Sequence, residues 1–103
     1  MEMKDIIERI NFFRNENNIS ARVLSSRINK SENYINRLEY LNFNLPLKVL
    51  LDIIKALEIT PEEFFAEDYK NYKTKKAILG LLEEISNSVS NEKIVELLNS
   101  LKK

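Results

Sequence analysis

From Ser20 to Tyr40 the chain reads SARVLSSRINKSENYINRLEY, a stretch that no single helix or strand accommodates. Val23, Leu24 and Ile28 recur at helical spacing behind Ser20, whose hydroxyl suits an N-cap. The pattern then breaks at Asn29, a residue type that tolerates the left-handed backbone better than most. Ser31 can cap a second helix with Glu32 in its first turn, so the spacing predicts two short helices around a tight turn, the second running from Ser31 to Tyr40. Ile35 and Leu38 share one face of that second helix. Glu32, Asn33, Asn36 and Arg37 point elsewhere, and all four are side chains that can address base edges or phosphates. The stretch presents a short polar helix on an apolar scaffold.

Only one Gly and two Pro occur in 103 residues, which leaves little material for hairpin turns, and no run alternates apolar and polar residues over a strand's length. An all-α fold is expected, and 44% hydrophobic residues suffice for one compact core at this size. The chain has neither His nor Cys. That excludes disulfides, thiolate or imidazole metal sites, and Ser-His or Cys-His nucleophile pairs, so no metal, cofactor or catalytic residue is assigned. The acidic neighbours Glu62 with Glu63 and Glu83 with Glu84 point in different directions on a helix, as solvated surface does. No apolar run reaches the roughly 18 residues of a membrane span, and Glu2 and Asp5 stand where a basic signal segment would begin. No membrane association and a cytoplasmic location are expected.

Net charge is zero, but its distribution is uneven. Between Ser20 and Lys48, Arg22, Arg27, Lys30, Arg37 and Lys48 outnumber Glu32 and Glu39. Between Asp52 and Asp68 the acidic residues Asp52, Glu58, Glu62, Glu63, Glu67 and Asp68 face Lys55 alone. The basic excess is local to the two short helices, as a small nucleic-acid patch requires.

Around this centre, Ile6, Ile7, Ile10 and Phe13 give a first helix from about Met3 to Asn17, with Asn17 and Asn18 as a left-handed stop. Phe12 falls off that stripe, which predicts either a cover from the C-terminal segment or an oligomer contact. Leu50, Ile53, Ile54 and Leu57 mark the inward face of a helix that Pro46 opens. Thr60, Pro61, Glu62 and Glu63 form the sharpest helix start in the chain, ahead of Phe64 and Phe65.

The series Arg14, Ser20, Leu24, Ser31, Ile35, Leu38, Glu39, Pro46, Ile53, Leu57 and Ile59, with its spacings, resembles the lambda-repressor-like, XRE-type helix-turn-helix family of bacterial and phage regulators, over about Ile6 to Phe65. The resemblance implies a five-helix DNA-binding domain over residues 1–68, with double-stranded DNA as partner. It implies that Ser31 to Tyr40 is a recognition helix in the major groove, with Glu32, Asn33, Asn36 and Arg37 reading bases. Phosphate contacts are then expected from Ser20, Arg22, Lys30, Ser31, Tyr34, Tyr40, Asn42 and Asn44. Arg14 and Glu39 resemble the family's structural ion pair. The chain departs from the family pattern at Ala21, where Gln is common, and at Ser25, Asn29 and Leu41, which stand for Ala, Gly and Gly. Arg22 is the candidate substitute for the missing Gln.

Residues 69–103 lie beyond the resemblance. Ile78, Leu81, Leu82 and Ile85, then Ile94, Leu97, Leu98 and Leu101 behind a cap at Ser90, predict a two-helix hairpin with apolar stripes. The stripes either fold back on the same chain or pair with a second copy. The second reading makes these eight residues dimer contacts, since two-fold operators are the usual route to specificity. Two functions follow. One is a DNA-binding repressor acting as a homodimer on an inverted repeat, answering to a change in concentration or a regulatory protein partner. The other is an interaction module such as an antitoxin or anti-repressor that keeps the fold without acting on DNA.

Overall fold

A computed structural model of the chain describes residues 1–86 and 91–101, except the side chains at 91–94. The described residues are all-α, with seven helices: α1 (Met3–Glu16), α2 (Ala21–Arg27), α3 (Tyr34–Leu41), α4 (Leu47–Ala56), α5 (Pro61–Phe65), α6 (Tyr72–Ser86) and α7 (Asn91–Leu101). A single 3₁₀ turn, Tyr69–Asn71, precedes α6. The chain divides into two compact units, Met1–Tyr69 and Lys70–Lys103.

In the first unit the amphipathic stripes meet around one core. Ile10, Leu24, Ile35, Leu38, Ile53 and Phe64 are fully buried there, together with Ile7, Phe13, Ile19, Ile28, Leu50, Ile54 and Leu57. The first four helices each end at or just before a left-handed residue, three of the four being Asn. Asn18, Asn29 and Glu58 take positive φ just past α1, α2 and α4, and Asn42 does so at the C-cap of α3. At the first two stops the next amide bonds back across the turn, Ile19 N–H to Arg14 C=O and Lys30 N–H to Ser25 C=O, both at 2.9 Å. These bonds satisfy carbonyls that a helix end leaves open. Starts are fixed by hydroxyls: Ser20 Oγ accepts from Val23 N–H and Thr60 Oγ1 from Glu63 N–H, each at 3.1 Å.

Several expectations change. The second helix of the central pair begins at Tyr34, not Ser31. Ser31 supplies its carbonyl to Tyr34 N–H in a tight turn, and the N-cap position falls to Asn33. Val23 is 44% exposed, on the outer side of α2 from Leu24. Pro46 is the N-cap of α4 rather than its first residue, and Phe65 faces solvent while Phe64 fills the core. Phe12 is covered, edge-on, by Tyr69 at 5.4 Å between ring centroids.

Arg9 is a buried residue that periodicity alone does not mark. Its Nη1 donates to the carbonyls of Phe64 at 2.8 Å and Ala66 at 2.7 Å, and its guanidinium lies 4.3 Å from the Tyr69 ring centroid. The side chain thereby closes the open end of α5 and holds Tyr69 over α1.

In the second unit α6 and α7 run antiparallel, since Lys75, Ile78 and Leu79 near the start of α6 line a groove with Leu98 and Leu101 near the end of α7. Leu82 is buried, whereas Leu79, Leu81, Leu97 and Leu101 stay exposed. The cap expected at Ser90 and the side chain of Ile94 lie outside the described residues.

Candidate nucleic-acid interface

The packing of α2 on α3 starts at Ser25. Its Oγ donates to Ala21 C=O at 2.8 Å and accepts the Ile35 N–H at 2.9 Å, in a fully buried position. An α-helix leaves its first amides without partners, and here a side chain of the preceding helix takes one of them. No side chain within α3 caps it: Asn33 at the N-cap makes no such bond. The small Ser25 therefore holds the two helices together and starts the second.

With α3 fixed in this way, its faces separate. Ile35 and Leu38 point into the core, and Asn33, Asn36, Arg37 and Tyr40 are exposed. At 3.6 residues per turn these four fall within an arc of about 100°. The Arg37 side chain has no ion pair or hydrogen bond among the described residues, while its backbone N–H donates to Asn33 C=O at 2.9 Å. Glu32, in the turn ahead of the helix, pairs with Arg22 of α2, Arg22 Nη2 to Glu32 Oε2 being 3.1 Å. Tyr34 is half-buried and leans on Phe43, with 5.5 Å between ring centroids, while Lys30 Nζ lies 5.3 Å from the centre of its ring. Burial raises the Tyr34 hydroxyl above its ordinary pKa. Ser20, Ser31, Asn42 and Asn44 are exposed around the same two helices, at the start of α2, the α2–α3 turn and the loop after α3.

The far end of α3 is tied to α1. Arg14 Nε and Nη2 bond Glu39 Oε1 and Oε2 at 3.0 and 3.1 Å, with side chains 17% and 16% exposed. Arg14 Nη1 also donates to Ile19 C=O at 3.0 Å, so one guanidinium fixes the α1–α2 connection and α3 together. A groove beside the turn gathers Arg27 and Lys48 of the basic excess and adds Lys55. Arg27, Lys48 and Lys55 line it with Asp52, and Arg27 Nη1 caps α4 through Ala56 C=O at 3.2 Å. Their spacing along α4 was readable, but their meeting with Arg27 is tertiary.

This is a rigid pair of short helices, the second presenting amide and guanidinium forks outward, within a five-helix unit. A profile described as "Helix-turn-helix" matches residues 10–64, more than half of the chain. The chain belongs to the lambda-repressor-like, XRE-type helix-turn-helix family. Neither the curated proteins nor the solved structures hold a match to it. As a member of this family it is a DNA-binding helix-turn-helix regulator. Among the described residues no helix is long and apolar enough to cross a membrane, and no group of acidic side chains is arranged to hold a metal ion.

Proposed function

We propose that the protein is a cytoplasmic repressor of bacterial or phage type that binds an inverted-repeat operator as a homodimer. One observation carries the reading: Asn33, Asn36 and Arg37 share the outward face of a helix whose other face is locked into the core. Asn matches adenine N6 and N7, Arg matches guanine O6 and N7, and a rigid support keeps such forks aligned with the base edges. Ser20, Lys30, Ser31, Tyr34, Tyr40, Asn42 and Asn44 take the phosphate and sugar contacts that set orientation.

Dimerisation is assigned to α6 and α7. A two-helix unit of this length is too small to enclose a core by itself, and Leu81, Ile85, Leu97 and Leu101 remain exposed on it. With Ile78, Ile94 and Leu98 they supply an apolar face to a second copy, whereas Leu82 is already buried within the chain and drops out of the expected contact set. Two linked readers then engage successive major grooves about one helical turn apart, and polymerase is occluded. A regulatory protein partner or a change in concentration relieves the block.

The test is Arg37→Ala against a panel of duplexes that differ at single base pairs. A loss of about 1–3 kcal/mol confined to one position per half-site supports base reading. An equal loss on every duplex assigns Arg37 to phosphate. The zero net charge favours the second reading, an interaction module such as an antitoxin or anti-repressor. Activity that persists at high salt without DNA would select it.

A further inference from the structure

We infer that Arg22 reads a base rather than a phosphate, and that Glu32 is the positioning residue that holds it to that task. This rests on the DNA-binding reading above. The starting point is the Arg22–Glu32 ion pair at 3.1 Å, whose side chains are 78% and 61% exposed. A pair so exposed adds little to stability.

Its place in the fold is defined by the buried bond beneath it. Arg22 lies three residues ahead of Ser25 and Glu32 three ahead of Ile35, and Ser25 Oγ holds Ile35 N–H at 2.9 Å. The helix contact that starts α3 thus repeats, further out, as an ion pair next to Asn33. The contact is made at Nη2 of Arg22, one nitrogen of a fork that carries five donors in all.

An arginine on a free stem beside DNA goes to the nearest phosphate, a contact without sequence information. A carboxylate 3.1 Å from one nitrogen restricts where the guanidinium swings, and a fork kept near the groove can match guanine O6 and N7. The paired charges sum to zero, so the pair displaces no counterions and gives no general attraction to DNA. Glu32 thereby lowers affinity for arbitrary sequence while keeping the base contact.

The test compares an operator duplex, selected by the wild-type protein from a random pool, with a duplex of the same composition in scrambled order, over a salt series. Glu32→Gln is expected to bind the scrambled duplex more tightly, with its log–log salt slope steeper by about 0.9 as Arg22 reaches a phosphate. Preference for the operator is expected to fall about tenfold, the size of one bidentate base contact. In the double variant R22A/E32Q the slope should return to the wild-type value while the preference stays low. Unchanged slope and preference in E32Q would overturn the role of Glu32, and lost preference at unchanged slope would make Glu32 itself the base contact. Failure of the wild-type chain to bind any selected duplex would overturn both this inference and the DNA-binding reading.

Discussion

The buried Ser25 hydroxyl accepts the Ile35 N–H at 2.9 Å, so the helix before the turn supplies the cap for the helix after it. Ser25→Ala leaves that amide buried without a partner, a cost of about 1–3 kcal/mol. Thermal unfolding followed by circular dichroism should show the midpoint falling by several degrees. An unchanged midpoint would mean that water or a shift of α3 replaces the hydroxyl.

Arg14 and Glu39 form a two-point bond that is mostly shielded, and Arg14 also holds Ile19 C=O. Glu39→Gln keeps the shape but loses the charge-assisted pair, which should destabilise the first unit by about 1–3 kcal/mol. Arg14→Lys should do similar damage, because one ammonium cannot meet two carboxylate oxygens and a carbonyl in the same geometry. Urea unfolding of both variants is the check.

Among the described residues Arg9 has no carboxylate partner; two carbonyls and an aromatic face hold it, and its Nε has no hydrogen-bond partner there. Arg9→Met preserves volume but leaves the Phe64 and Ala66 carbonyls without their donor, for an expected loss of about 2 kcal/mol. Hydrogen exchange should localise the added opening to α5 and Tyr69. Uniform change across the first unit would show that the clasp is not local.

Gly80 stands inside α6, and among the described residues nothing lies within 4 Å of the position a Cβ would take. Gly80→Ala should stabilise that helix by up to about 1 kcal/mol, since glycine is the costlier residue in a helix interior. Helical signal in thermal melts of the full chain measures this. A fall in stability would reveal a close partner at that position.

Much of this architecture could be read from the sequence because its cues are local. Ser20 and Thr60 announce helix starts, Asn18 and Asn29 announce stops, and the stripes from Ile7 to Phe13 and from Leu50 to Leu57 name their own buried faces. The start of α3 could not be read in the same way. Ser31 is a plausible cap by residue type, but Ser25 removes the need for one, and that bond spans ten residues. Arg9 was hidden for a related reason: a charged residue on a helix reads as surface until Phe64, Ala66 and Tyr69 are brought to it. The pairing of Arg22 with Glu32 likewise depends on how closely α2 and α3 pack, which their separate patterns do not state.

The central claim is most directly tested by selecting binding sites from a random DNA pool with the purified full chain, then sedimenting the protein with the winning duplex. The account predicts enrichment of an inverted repeat, half-sites about one helical turn apart, and two chains per duplex. A folded, dimeric protein that enriches no sequence at low salt would contradict it.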